Sequence, residues 1–203
     1  MSRRTLAIFA VLALAFAILT GLAVRSGILS PEPQTAAVGG PFQLVDQTGR
    51  TVDERLLKGK WSAVFFGFTY CPDVCPTTLF ALGQAEAKLG AKAKDFQTVL
   101  ISVDPGRDTP QQMALYLSND AFPKKTWGLT GSPEQVDVAA KAYRVFHQTS
   151  GTGPDYTVSH SAIIYLMNPR GQLACPIQPD ATPDQIVAKV EAAMKQGPRA
   201  RSC

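Results

Sequence analysis

Residues 5–24 carry no charged side chain and are rich in Leu, Ala, Ile, Phe and Val. At 1.5 Å per residue a helix of that length crosses a hydrocarbon core of roughly 30 Å. The pattern then changes twice. Residues 30–40 (SPEPQTAAVGG) are polar and Pro/Gly-containing, which suits an exposed linker. Beyond them apolar positions alternate between two periods. Phe42, Leu44, Thr51 and Val52 around a turn at Asp46 to Gly49 predict a short hairpin, and residues 61–68 form an apolar run suited to a strand buried on both faces. Helices are predicted over 76–89, 110–118, 133–143 and 183–195, interleaved with strands over 98–103 and 162–166. Three helix starts share one punctuation: Thr109-Pro110-Gln111-Gln112, Ser132-Pro133-Glu134-Gln135 and Thr182-Pro183-Asp184-Gln185. Each sets a hydroxyl cap before a Pro at the first helical position and a Gln that completes a capping box. Val136, Ala139, Ala140 and Tyr143, like Ile186, Val187, Val190 and Met194, supply apolar stripes. Asn168-Pro169-Arg170-Gly171 predicts a turn between strands at 163–167 and 172–177. Strands alternating with helices and ending in a hairpin and a helix define an α/β domain with a mixed central sheet flanked by helices.

The segmentation is therefore an anchor at 1–29, a linker at 30–40, a folded domain at 41–196 and a basic tail at 197–203. A cleavable signal peptide has a shorter apolar region and a small-x-small site, so an uncleaved transmembrane helix is the expectation and cleavage the alternative. Arg3 and Arg4 precede the span and Arg25 follows it, a bias that leaves the domain outside the cytoplasm. The head is too short for a mitochondrial presequence. A bacterial inner membrane with a periplasmic domain is the expected location. Charge then loses its apparent meaning: the chain of 203 residues has a formal net charge of +4, yet residues 31–196 hold 15 basic and 16 acidic side chains. Nucleic-acid binding has no support, because the folded body lacks a basic excess.

The chemistry concentrates where the strand at 61–68 runs into Thr69-Tyr70-Cys71-Pro72-Asp73-Val74-Cys75-Pro76. Two thiols there sit at a strand's C-terminal end and near a helix N-terminus, where the dipole favours thiolate and where open α/β sheets bind ligands. A local disulfide is the plain alternative in an oxidising compartment. His160, in Val158-Ser159-His160-Ser161-Ala162, precedes a predicted strand. In thioredoxin-like folds that loop packs against the active-site cysteines and holds a proline, so Ser-His-Ser would put an imidazole in the proline's place. Two thiolates and one imidazole suit Cu(I) and serve for Cu(II). Zinc is the competing metal, without an evident general acid or base beside it.

These motifs closely resemble the Sco (SenC) family of copper chaperones for cytochrome c oxidase assembly. The matching pieces are Gly39-Gly40-Pro41-Phe42, Gly67-Phe68-Thr69-Tyr70 with the cysteine motif, Ser102-Val103-Asp104-Pro105 with Arg107-Asp108-Thr109-Pro110, and Tyr156-Thr157-Val158-Ser159-His160-Ser161. The resemblance implies a thioredoxin-like fold, copper held by Cys71, Cys75 and His160, and delivery to the binuclear copper site of oxidase subunit II, with a copper-donor protein upstream. It also implies an acid at Asp104 supporting the site from behind the ligands, while Asp-Pro-Gly reads equally as an ordinary turn. Asp73 is expected at the helix N-terminus or in partner recognition, and Phe68 and Tyr70 in core and rim. Cys175 and Cys203 lie outside the family's copper motif; pairing with each other and remaining free both stand open. His147 is not expected to be a ligand. The competing function is a membrane-anchored thiol–disulfide oxidoreductase cycling Cys71 and Cys75, and His160 separates the two, since exchange chemistry does not need it. A peroxidase reading is weaker still, since the Pro-x-x-x-Thr-x-x-Cys arrangement of that related family is absent around Cys71.

Overall fold

A computed structural model describes residues 12–14, 16, 20, 38–153 and 155–203. The chain divides into two compact units, Met1–Ala36 and Ala37–Cys203. The predicted span at 5–24 and the linker to residue 37 fall mostly outside the described residues. Of the few described there, Leu12, Leu14 and Phe16 are exposed and the Thr20 hydroxyl donates to the Phe16 carbonyl one helical turn back. No helix among the described residues is long and apolar enough to cross a membrane.

The second unit is built on a seven-stranded mixed sheet in the order β2-β1-β5-β4-β3-β8-β9. Its strands are β1 (Gln43–Asp46), β2 (Thr51–Asp53), β3 (Trp61–Gly67), β4 (Phe96–Ser102), β5 (Thr126–Thr130), β8 (Ile164–Met167) and β9 (Leu173–Ile177). A separate two-stranded ribbon pairs β6 (His147–Ser150) with β7 (Thr157–His160). Its described residues also form four α-helices: α1 (Val74–Leu89), α2 (Pro110–Leu117), α3 (Pro133–Tyr143) and α4 (Pro183–Gln196). β3, β4 and β5 run parallel, while β8 and β1 flank them antiparallel.

The central pair explains the layering. Every residue of β3 and β4 is buried, as strands covered on both faces must be. Side chains alternate across the sheet, so Trp61, Ala63, Phe65, Phe96 and Leu100 pack with Leu79 and Leu82 of α1 and Ile186 and Val190 of α4. Val64, Phe66, Val99 and Ile101 face the other way, onto Val136, Ala139 and Tyr143 of α3.

Two capping boxes form as expected, Ser132 with Gln135 and Thr182 with Gln185. The third does not close. Thr109 accepts from the Gln112 backbone N–H, but the Gln112 side chain donates to Thr69 Oγ1 at 3.2 Å in the cysteine loop. β5 and the β6–β7 ribbon are additions to the expected strands. β5 is short and interrupted by Gly128, whose missing Cβ would lie 2.5 Å from Leu117 Cδ1, so its glycine serves the seating of α2. The ribbon is polar and mostly exposed, without an apolar alternation to announce it. α1 begins at Val74, two residues earlier than expected, which takes Cys75 into the first turn.

Cys175 and Cys203 form a disulfide with Cα atoms 5.9 Å apart. It ties the tail to β9, and Ala200 within that tail is buried and accepts a hydrogen bond from Asn168 Nδ2 at 3.0 Å. The tail at 197–203 thus belongs to the same compact unit. Closing a loop of 28 residues is worth about 3.6 kcal/mol in the chain-entropy account. Cys203→Ser is expected to lose about that much stability in urea unfolding at pH 7; a loss under about 1 kcal/mol would show that the staple constrains little.

Candidate metal centre

β3 and β4 end side by side, Gly67 opposite Ser102, so the cysteine loop and the loop of Asp104 to Asp108 leave the sheet together. Cys71 lies in the first of these loops and is half-buried; Cys75, in the first turn of α1, is 1% exposed. Gly67 makes room for it: a Cβ there would stand 2.6 Å from Cys75 Sγ. The helix start uses a sulfur where an oxygen is usual. Asp73 occupies the N-cap position without a side-chain capping bond, and Cys71 Sγ instead accepts the Cys75 backbone N–H at 3.4 Å.

His160 closes the group from the end of β7. Its Nε2 is 3.9 Å from Cys75 Sγ, and the three donor atoms of Cys71, Cys75 and His160 lie within 4.8 Å of one another. The His160 Nδ1 is 3.0 Å from the Ser161 carbonyl, which can only accept. A neutral imidazole so held keeps its proton on Nδ1 and turns the Nε2 lone pair toward the sulfurs. The ring also stands edge-on to Phe68, with centroids 5.7 Å apart. Among the described residues, no other group brings three His, Cys, Asp or Glu donors together in this way.

The two thiols are electrically unequal. Hydrogen bonding from Cys75 lowers the Cys71 thiol to about 4, against the opposing effect of its own burial, with the backbone N–H groups of Cys75 and Asp73 helping. Cys75 is pushed up, first because its proton is engaged by Cys71, then by burial and by the charges on Cys71 and Asp108. In the metal-free pair Cys71 is the thiolate and Cys75 keeps the shared proton.

Behind the cysteines sits an acid to which the sequence reading gave no role. Asp108 is fully buried and accepts from the Thr69 backbone N–H at 3.1 Å, from Thr69 Oγ1 at 2.7 Å and from Ser102 Oγ at 2.6 Å. Burial raises its pKa, and the Ser102 and Thr69 bonds pull it back. Its place in the Arg107-Asp108-Thr109-Pro110 motif was the available signal. Asp104, expected behind the ligands, is 4% exposed and is held by Arg107 Nε at 2.5 Å and by the Tyr156 hydroxyl. These bonds lead from Asp104 to the start of β7. Tyr70 is exposed and lies against Arg107; Phe68 is buried. His147 pairs with Asp137 at 3.0 Å and stands opposite His160 in the ribbon register, apart from the donor group.

A mixed sheet carrying a Cys-x-x-x-Cys pair at a strand end, with a histidine brought over it, defines a thioredoxin-like protein with a soft-metal donor set. The SCO1/SenC family model matches residues 30–195, and the chain belongs to that family. It is 45% identical over 150 residues to the mitochondrial SCO1 homolog 1 of Arabidopsis thaliana, covering 73% of this chain and 43% of that protein. With SenC of Rhodobacter capsulatus it shares 41% over 157 residues, covering 77% of this chain and 70% of SenC. The chain thus spans less than half the length of the first relative. The copper-bound structure of Bradyrhizobium japonicum ScoI matches with a TM-score of 0.69 at 43% identity, over 75% of this chain and 96% of that one. BsSco, described with a disulfide switch and as a member of the Sco family of cytochrome c oxidase assembly proteins, matches at 0.62 and 25%, over 77% and 94%.

With its pKa near 4, Cys71 in the reduced chain is expected to alkylate at a rate nearly flat between pH 6 and 8 and falling below pH 5. A tenfold rise per pH unit across 6 to 8, as an ordinary thiol gives, would contradict the thiolate assignment. Gly67→Ala is expected to displace Cys75 and destabilise the fold by about 1–3 kcal/mol, read by denaturant unfolding.

Proposed function

We propose that the protein is a copper metallochaperone that binds one copper ion through Cys71 Sγ, Cys75 Sγ and His160 Nε2 and delivers it to the binuclear copper site of cytochrome c oxidase subunit II. The observation that carries this reading is the meeting of two thiols and one imidazole lone pair within 4.8 Å at a partly open edge of the domain. Soft sulfur with one imidazole favours Cu(I), and the same set accepts Cu(II). Copper-bound ScoI supports the metal, and the oxidase-assembly description of BsSco supports the recipient.

Burial gives the transfer a direction. Cys75 is enclosed, whereas Cys71 and His160 are half-exposed, so an incoming thiolate meets the copper from the side of Cys71 and His160. Ligand exchange then proceeds one donor at a time, with Cys75 as the last to let go. A copper-donor protein docks on the same open side and meets Cys71 and His160 first. The uncharged stretch at 5–24, with Arg3 and Arg4 before it, supports a single-pass anchor in a bacterial inner membrane and a periplasmic domain.

A second reading has its own observation: the lowered pKa of Cys71 makes it a ready nucleophile. As a thiol–disulfide reductase, the Cys71 thiolate would attack a recipient disulfide to form a mixed disulfide. Cys75 would then displace the recipient thiolate, leaving the Cys71–Cys75 disulfide and a reduced recipient. His160 is not needed for that exchange.

Copper stoichiometry and affinity of the reduced chain, beside Cys71→Ser, Cys75→Ser and His160→Ala, test the first reading. One copper per chain is expected, weakened at least tenfold by each substitution and by acidification from pH 7 to 4, as protons compete for the donors. Unchanged affinity in His160→Ala, with ready cycling of the cysteine pair, would favour the reductase.

A further inference from the structure

The donor set is carried on two separate arms. Cys71 sits in the loop after β3, and His160 ends a ribbon that makes its own two-stranded sheet and adds no strand to the main one. Alignment of the arms therefore needs contacts beyond the ladder hydrogen bonds. At the base of the ribbon, Ser161 and Phe146 exchange bonds: Ser161 N–H donates to the Phe146 carbonyl at 2.9 Å and Phe146 N–H to Ser161 Oγ at 3.1 Å. At the far end one side chain reaches both arms.

That side chain is Arg107. Its Nε donates to Asp104 Oδ2 at 2.5 Å and its Nη1 to the Tyr156 carbonyl at 3.1 Å. The guanidinium lies over the Tyr156 ring at 3.8 Å and over the Tyr70 ring at 4.8 Å, with the Phe68 centroid at 5.9 Å. Tyr156 leads into β7, the strand that ends in His160, while Phe68 and Tyr70 lead into Cys71. Phe68 in turn meets the His160 ring edge-on. The Tyr156 hydroxyl donates to Asp104, so the carboxylate closes the circuit around the guanidinium. Only 17% of the Arg107 side chain is exposed, and desolvated cation–π contacts of this kind are stronger than those in open water.

We propose that Arg107 is the clamp that aligns the His160 arm with the Cys71 arm, a positioning residue that acts through Asp104, Tyr156 and the Phe68 and Tyr70 rings to make the three-ligand arrangement possible. The planar fork and the stacking face are both required. Lysine supplies the charge alone, as a point on a flexible stem, and cannot bridge Asp104 and Tyr156 while lying between two rings. The clamp rests on the copper reading only for its effect on metal affinity; its effect on the arms exists without metal.

The test uses Arg107→Gln, Arg107→Lys and Tyr156→Leu in the full chain, with circular dichroism and Tm to verify folding. In the reduced, metal-free protein, the NMR contact between the His160 and Phe68 rings is expected to weaken in all three variants, and amides of β6 and β7 to exchange faster. Copper affinity is expected to fall about 10- to 100-fold, the range for removing a group that orients a ligand, with no rescue by lysine. Tyr156→Leu keeps the test alive if Arg107→Gln does not fold. Unchanged ring contact and copper affinity within threefold of the parent in the folded variants would overturn the clamp. If instead His160→Ala leaves copper affinity intact while the ring contact is still lost in Arg107→Gln, the clamp stands and the three-ligand reading falls.

Discussion

Everything at the site depends on the parallel register of β3 and β4. With Gly67 opposite Ser102, two fully buried strands of the sheet stop at the same level and send their loops out as neighbours. The hydrophobic burial on both faces fixes that register, because a slip of β3 by one residue would turn Val64 and Phe66 away from α3 and onto the wrong face. The cysteine loop therefore inherits its position from the packing on the two faces of the sheet.

Polar groups then convert proximity into geometry. Asp108 is a buried carboxylate with Thr69 and Ser102 hydroxyls and a backbone N–H gathered on it, and each bond pins the cysteine loop to the neighbouring strand end. A buried carboxylate left without such partners costs several kcal/mol, so the cluster forms as a whole or not at all. Gln112 adds to it from α2, giving up the capping role that its sequence position offered. Asp104 works on the other arm, through Arg107 and Tyr156. Two acids four residues apart thus serve two different arms of one site. The unequal thiols follow from the same enclosure: Cys75, buried under His160 and near Asp108, retains its proton so that Cys71 can ionise.

The features legible in the chain were those set by neighbours in sequence. The hairpins around Asp46 and Asn168 and the helix starts at Ser132 and Thr182 announce themselves through local turn and capping chemistry, and the structure builds them there. The apolar run of β3 was legible because burial on both faces leaves no polar position in the middle. β5 and the β6–β7 ribbon were not, since Gly128 answers to Leu117 and the ribbon's polar residues carry no periodic signal. Cys175 and Cys203 illustrate the same limit: spacing left their pairing open, and only the return of the tail over β9 brings them to 5.9 Å.

Sequence by itself determined the donor types, the Cys-x-x-x-Cys spacing at a strand-to-helix junction, the family and the α/β class, because each is written in residues adjacent along the chain. Tertiary structure decided which acid backs the cysteines, where Gln112 points, that Arg107 spans both arms and that His160 presents Nε2 to the sulfurs. Those outcomes depend on groups that meet only after the sheet has formed. Local propensity cannot encode such meetings, since what selects them is the shared burial of side chains from distant strands and loops.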